Sequence, residues 1–482
     1  MLNYLKSGIV ALVAFISLPL SGTAQEAWDL RKCVLYAVEN NISVKQSEIQ
    51  ERVAALTHQQ SRDARWGQYT GSMNGGEQFG RNIDPTTNQF TSNRVGFLSA
   101  GLQGGASLFN WFSQRNTIES NRLAQEASIM ATENLKEDIA LNVAAAYLQA
   151  VNARQQMNLS EVQISQTTDQ LRSTRLQVEA GSLPELNSAQ LEAQLALDSS
   201  IYIQNESSFH IAILQLKALL TLPADYPFTI QVPRPEEFRL TSLGDLIPEE
   251  VFAMAINNRP GLQATKYQRE SAVFQAKATK ASMYPTFSVF GNANTAYSTS
   301  LKQLPHGDNI VTVVPTQAYV QVGSEKMVVY SPVSMPSEFL KANIFRQFNN
   351  NFRQSVGLGL SIPIFSGHSA RTQYRRALMN VENIELTMKQ DTLTLKQDIY
   401  TAYQNAINAF SRLNSRRKAV ETAEYAYNLG RQRYDIGLLP VFELITLQNN
   451  LRNVQIEMLR DQFEFIFRTK ILEFYRGTGI TL

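Results

Sequence analysis

Between Ala370 and Tyr434, apolar and small residues recur in alternating steps of three and four. The walk runs through Met388, Thr392, Leu395, Ile399, Ala402, Ala406, Ala409, Leu413, Arg416, Val420, Ala423, Tyr427, Gly430 and Tyr434, with mostly polar residues between. Strict 3-4 alternation is a seven-residue repeat, the pattern of supercoiled helices. No proline interrupts it, and it stops at Gly437 and Pro440, residue types that end helices. About 65 residues of helix make a rod of roughly 100 Å, longer than a globular core requires. Arg416 is the one charge on this seam, and nothing in the sequence accounts for it. A second seam runs through Ile139, Val143, Ala146, Ala150, Ala153, Met157, Ser160, Ile164, Leu171 and Val178.

Other stretches follow a period of two. Val356, Leu358, Leu360, Ile362 and Ile364 alternate with Gly357, Gly359, Ser361 and Pro363, a strand pattern with one apolar face. Leu98, Ala100, Leu102, Ala106 and Leu108 form a weaker version, and Tyr69, Gly71, Met73 and Phe287, Val289, Gly291, Ala293 mark two more strands. Aromatic residues stand at the strand–helix junctions: Trp66, Phe109, Trp111, Phe112, Tyr284 and Phe365. Aromatic girdles flank the apolar band of membrane barrels. Four strands cannot close a barrel, for which about eight is the practical minimum. Several chains would have to share one, two giving eight strands and three giving twelve.

The two seams belong to a repeat. An offset of 218 aligns Ala37 with Ala255, Val44 with Leu262 and Trp66 with Tyr284. An offset of 256 aligns Phe109 with Phe365, Tyr147 with Tyr403, and Gly181-Ser182-Leu183-Pro184 with Gly437-Leu438-Leu439-Pro440. The second offset exceeds the first by 38, an insertion between Tyr284 and Phe365. The expected plan is an internal structural duplication. Residues 25–222 form a first repeat: helix 30–65, strands 67–80 and 94–108, long helix 113–180 and helix 185–221. A Pro-rich linker spans 223–248. Residues 249–482 form the second repeat: helix 249–283, strands 285–297 and 352–365, long helix 370–436 and helix 441–476. Within the insertion, Tyr319–Val322 and Met327–Tyr330 suggest a small hairpin around Gly323-Ser324.

Residues 1–24 read as a secretory signal peptide, with Lys6, an apolar run from Ile9 to Leu20 and small residues Gly22-Thr23-Ala24. No later run is long and apolar enough for a transmembrane helix, so a membrane crossing requires a closed β-barrel. The single cysteine, Cys33, excludes an internal disulfide, and a net charge of +2 argues against a nucleic-acid partner. The four histidines have no metal-ligand spacing, and no nucleophile elbow, P-loop or dinucleotide fingerprint occurs. We expect no cofactor and no enzymatic role.

The duplicated plan, the Gly-x-x-Pro turns and the junction Ser361-Ile362-Pro363-Ile364-Phe365-Ser366-Gly367 together resemble the TolC-like outer-membrane efflux proteins. The resemblance covers essentially all of the chain after the signal peptide. It implies a homotrimer sharing one twelve-stranded transmembrane β-barrel, four strands per chain, continued by a long α-helical coiled-coil tunnel through the periplasm. It implies an exit duct of a tripartite efflux or type I secretion system. The partners would be outer-membrane lipid, a periplasmic adaptor (membrane fusion) protein, and an inner-membrane efflux pump or ABC transporter. The helix–turn–helix tips, with Gly181, Leu183, Pro184, Gly437, Leu439 and Pro440, would contact the adaptor. Tyr434 and Glu443 match gate positions of the family. Leu439 stands where its best-known member has arginine and Thr446 where that member has an acid, so neither an arginine-linked lock nor a double acidic ring is implied. From the residues alone, Glu443 reads more readily as a first-turn glutamate favoured by the helix dipole than as a cation-attracting group on a narrow axis. The competing reading of the whole chain is a periplasmic coiled-coil scaffold without a pore.

Overall fold

The computed structural model describes residues 27–83, 88, 90–91, 94–233 and 241–477. The expected signal peptide lies outside the described residues, as do 234–240 of the expected linker. In chain order the elements are α1 (Leu30–Asn40), α2 (Ile42–Asp63), β1 (Gln68–Gln78), β2 (Asn82–Ile83), β3 (Phe90–Thr91), β4 (Val95–Phe109), α3 (Ser113–Glu179) and α4 (Glu185–Leu219). There follow α5 (Pro248–Asn258), α6 (Pro260–Ala281), β5 (Thr286–Ser298), β6 (Gln303–Val322), β7 (Glu325–Lys341), α7 (Ile344–Asn350), β8 (Arg353–Ser361), α8 (Ser369–Asp435) and α9 (Val441–Arg476). They group into two compact units.

One unit is helical, built from the described residues up to Ala54 with Leu123–Arg269 and 383–477. Every buried residue of α8, from Leu395 through Ala406 and Leu413 to Tyr434, lies on the 3-4 walk read from the sequence. On α3 the walk positions Ile139, Val143, Ala150, Met157, Ser160 and Leu171 are buried and Ala146 and Ala153 half-buried, but Ala144, Tyr147, Leu148 and Val151 are buried beside the walk, and past Ser160 the buried face turns largely polar. Gln163, Thr167 and Thr174 are buried there, while Ile164 and Val178 are half-buried. Past Ser160, α3 thus packs largely through polar side chains, of which the apolar walk finds none; Leu171 is the apolar residue it does find there.

Two apolar clusters hold the helices. One joins Cys33, Ala37, Val143, Tyr147 and Leu216 with Phe463 and Ile466. The other joins Val251, Ala255, Ile399, Ala402 and Leu472. Each fully buried large aliphatic residue contributes about 1.5–3 kcal/mol by leaving water. Burial, with Asp29 nearby, pushes the Cys33 thiol up to about 12 despite Lys32, so it is an inert core residue.

The expected helices 30–65 and 249–283 are each broken. At Arg259 the following Pro260 disfavours the α conformation, and the chain turns extended (ψ 121°). At Asn41 the side chain ends one helix and starts the next, accepting from Ser43 N–H while donating to the Leu219 carbonyl. The linker is held in place at residues 228–231. Trp28 N–H donates to the Thr229 carbonyl, Gln231 N–H donates to the Trp28 carbonyl, and the Tyr147 hydroxyl reaches the Gln231 carbonyl at 2.5 Å. Phe228 and Ile230 pack on the first cluster.

The other unit, Ala55–Arg122 with Glu270–Glu382, holds the strands. Its main sheet has the order β1-β4-β5-β8, antiparallel throughout. The register carries a consequence. Tyr69 faces Gly104, Gly104 faces Gly291 and Gly291 faces Val356, so these four share one face of the sheet. By alternation that face also carries Met73, Leu102, Val289, Ala293, Leu358 and Leu360. The opposite face carries Thr70, Ser72, Ser99, Gln103, Ser288, Asn292, Arg353 and Ser355. One face is mostly apolar and the other mostly polar, with Phe290 the large apolar side chain on the second, yet the apolar one is open: Tyr69 is 78% exposed, Leu358 72% and Val356 84%. Among the described residues the outer edges of β1 and β8 have no strand partner.

Glycine has a specific use here. The Tyr69 ring lies over Gly104, and the Phe290 ring lies over Gly357, where a Cβ would sit 2.6 Å from the ring. The last strand ends at Ser361, short of the expected 365. Pro363 has no N–H for a ladder, and Ile364 and Phe365 stand exposed beyond the sheet. Around the junctions Trp111 stacks against Phe109 and Tyr284 and donates through its indole N–H to the Pro285 carbonyl at 2.8 Å.

The expected small hairpin at 319–330 is instead the end of a long one. β6 and β7 pair from Gln303↔Lys341 to Val322↔Glu325 around the turn Gly323-Ser324, apart from the main sheet. The turn and the apolar stretches on either side of it were readable. The bulges after His306 and Pro315 broke the period further out.

Candidate functional site: the helix–turn–helix tips

The residues singled out as tips lie on two turns of one construction. After α3, Gly181 adopts φ +73°, with Gly181 N–H bonded to the Val178 carbonyl and Ser182 N–H to the Gln177 carbonyl. After α8, Gly437 adopts φ +77°, with Gly437 N–H bonded to the Tyr434 carbonyl and Leu438 N–H to the Arg433 carbonyl. This is a Schellman ending, and the left-handed residue is glycine because a Cβ there is strained. Pro184 and Pro440 then cap α4 and α9 in extended conformation.

Beneath the turns, Leu171, Leu191, Tyr427, Tyr434, Val441 and Leu444 form a small core, with Leu439 packed against it. Leu439 therefore serves the interior of its own chain, half-buried, while Pro184, Gly437 and Pro440 are exposed and Leu183 is half-buried. Exposed apolar side chains crowd the turns: Leu186, Ile436, Leu438 and Phe442.

Tyr434 and Glu443 point differently. Tyr434 is buried, and its hydroxyl shares a 2.6 Å hydrogen bond with the Thr174 hydroxyl, tying α8 to α3. One turn of helix earlier, Gln170 donates to the Tyr427 hydroxyl at 3.1 Å. Glu443 is exposed in the first turn of α9. The structure does not bring the two together.

Burial pushes the Tyr427 and Tyr434 phenols above their usual value of 10.0, only partly offset for Tyr427 by Arg431 and Gln170, and for Tyr434 by Thr174. The unfolded phenols ionise first, so the stability of the tip is intact below about pH 10 and falls as the pH rises through that value. The thermal midpoint of helix content should therefore drop above about pH 10, and drop less in Tyr427→Phe/Tyr434→Phe. An equal drop in that variant would clear these tyrosines of the effect.

Above the tip core lies a polar network that sequence reading missed. Asp198 on α4 has no exposed side-chain surface. It accepts from Thr167 Oγ1 at 2.7 Å, Gln194 Nε2 at 2.8 Å and Arg452 at 2.9 Å. Gln448 Nε2 reaches Thr167, and Asn449 pairs with Gln194. Further along, Arg416 finds its partners on α9: Glu457 at 2.5 Å and the buried Asp461 at 3.7 Å. Arg412 bonds Asp461 at 3.1 Å and Glu464 at 2.8 Å. The offset of 256 relates this pair to one in the first half of the chain. It places Arg416 on Ser160 and Asp461 on Asn205, and Asn205 Nδ2 donates to Ser160 Oγ. The same pair of helix positions interacts in each half with different chemistry.

Among the described residues no cluster of His, Cys, Asp or Glu could hold a metal ion, and no helix is long and apolar enough to cross a membrane.

Residues 251–463 match the family profile "Outer membrane efflux protein". The chain is related to the outer membrane efflux proteins. It is 22% identical over 470 residues to the outer membrane efflux protein BepC of Brucella suis biovar 1 (strain 1330), covering 96% of this chain and 88% of that one. Its fold is shared with the outer membrane protein VceC of Vibrio cholerae (TM-score 0.72, 14% identity, 94% and 97% of the two chains). It is shared also with the CmeC outer membrane channel of Campylobacter jejuni (TM-score 0.72, 15% identity, 94% and 87%). These two structural likenesses concern the fold, and the likeness to BepC extends along nearly the whole sequence.

Proposed function

We propose that this protein is an outer-membrane channel, the passive exit duct of a tripartite efflux or type I secretion system, extending into the periplasm. The observation that carries the reading is the main sheet, with one apolar face, one polar face, both open, and two unpaired edges. Lipid suits the first face and water the second, as in barrels with a polar lumen. Strand directions alternate across the sheet, so β8 runs opposite to β1. The β8 edge of one copy can pair antiparallel with β1 of the next, and three copies give a closed twelve-stranded barrel without a free edge. A pore-free periplasmic scaffold leaves that open apolar face without a purpose.

The two apolar helical clusters support the reading of residues 25–222 and 249–482 as a duplication. Cys33, Ala37, Val143 and Leu216 in one stand where Val251, Ala255, Ile399 and Leu472 stand in the other, by the two sequence offsets. The long helices of three copies would line the tunnel. The tips around Gly181, Leu183, Pro184, Gly437, Leu439 and Pro440 would receive the periplasmic adaptor, which links the duct to an inner-membrane pump or ABC transporter. A duct needs no catalytic group or cofactor, and the protein is not an enzyme.

In this reading Glu443 lines the narrow end and Tyr434 fixes the helices that frame it. Three carboxylates near one axis attract multivalent cations. The purified trimer in a planar bilayer should conduct, with conductance reduced by a multivalent cation, and Glu443→Gln should lose most of that block. Unchanged block in the variant removes Glu443 from the axis, and a monomeric native mass in detergent removes the shared barrel.

A further inference from the structure

The hairpin of β6 and β7 is stranded in solvent, and its sequence is not that of a solvated hairpin. A strand covered on one side alternates apolar with polar, whereas strands covered on both sides read as near-continuous apolar runs. Ile310-Val311-Thr312-Val313-Val314 and Met327-Val328-Val329-Tyr330 are such runs. The register sorts them. Ile310, opposite Met335, shares a face with Val333 and Met327, and Val313, opposite Pro332, shares the other face with Tyr330 and Val328. Both faces are thus apolar, and both are exposed: Val313 60%, Tyr330 60%, Met327 59%, Ile310 51%. An isolated two-stranded hairpin is at best marginally stable in water.

The outer edges exclude one kind of partner. Pro305 and Pro315 lie in β6, Pro332 and Pro336 in β7. A proline has no N–H for a ladder and is tolerated only where its nitrogen faces away from the paired strand. Each outer edge therefore lacks two donors and resists extension by a further strand. Charge excludes another. Of residues 303–341 only Asp308, Glu325, Lys326, Glu338 and Lys341 are charged, with mixed sign, so nothing in the hairpin favours an anionic lipid headgroup or a charged polymer. The occupant must cover two apolar faces of one thin element at once, without edge pairing.

We propose that the occupant is the same hairpin of the neighbouring copies. This rests on the trimer reading above. In a closed ring every subunit has one neighbour on each side, and the contact is head-to-tail, between two different surfaces. The Ile310 face of each hairpin packs on the Val313 face of the next, and three hairpins form a collar that no single chain can stabilise. A homotrimer explains why both faces are apolar. A partner bound to one side would leave the other without a reason.

The test is disulfide trapping in the full-length protein. Val313 and Val333 lie at neighbouring levels of the hairpin on opposite faces, so cysteines there cannot bridge within one hairpin but can bridge around a ring. Cys33 is fully buried and stays in place. Oxidised Val313→Cys/Val333→Cys should run as covalent dimers and trimers on non-reducing gels, while each single variant stays monomeric on the gel. A trimeric native mass without interchain bands overturns the collar and leaves the barrel standing. If both thiols then react freely with a water-soluble maleimide, the faces are simply solvated. If they are protected without bands, lipid or another protein covers them. A monomeric native mass overturns the trimer and the collar together.

Discussion

Arg452→Met should be among the most destabilising single substitutions in the helical unit. It removes the cation from Asp198, a carboxylate with no exposed side-chain surface. Breaking a buried pair from one side costs about 3–5 kcal/mol because the remaining charge stays uncompensated. Thr167 and Gln194 still donate to Asp198, so the lower part of that range is expected. Asp198→Leu/Arg452→Leu should recover most of the loss, since an apolar pair of similar volume is often neutral in such a place. Thermal unfolding followed by helix content measures all three proteins. A single-variant loss below about 1 kcal/mol, the worth of an exposed pair, would show that water reaches the site.

Leu358→Arg should abolish assembly while Ser355→Arg leaves it intact. The two residues lie on one strand, on opposite faces of the sheet. If the Leu358 face meets lipid, a mid-bilayer arginine costs about 2–4 kcal/mol per chain, and three chains multiply the effect. In the proposed barrel the Ser355 face would then meet a water-filled lumen, where a charge is tolerated and changes selectivity. The readout is the heat-modifiable or native trimer in outer-membrane fractions. Equal tolerance of both arginines would remove the lipid-facing assignment, and failure of Ser355→Arg alone would invert it.

The parts of this fold legible in the sequence are those set by local period. The α8 seam could be read residue by residue because a helix buries positions fixed by its own turn. The apolar sheet face, with Tyr69, Met73, Leu102, Val289 and Leu358, was legible for the same reason with period two. What escaped depends on partners distant in sequence. Thr167 is buried against Asp198 and Gln448, and Thr174 against Tyr434, and no spacing within α3 announces this. Arg416 on an apolar walk looked anomalous until Glu457 and Asp461 supplied its counter-charges. At the tips, the turns of Gly181 and Gly437 were plain from Gly-x-x-Pro and the burial of Tyr434 from the walk, but its hydrogen bond to Thr174 was not.

The first apolar cluster bears on how the chain reaches its native state. Leu30, Cys33 and Ala37, close to the start of the described chain, share it with Phe463 and Ile466 of the last helix. Trp28 meanwhile is bonded to Thr229 and Gln231. If the chain is exported from its N-terminus, its opening helix has no complete hydrophobic seat until the last helix has emerged. Such contacts across the whole sequence slow folding, and the delay leaves apolar helix faces and unpaired strand edges exposed in the meantime. A chain built this way depends on being chaperoned between translocation and insertion, and its maturation should be slowest at the joining of α9 to α1.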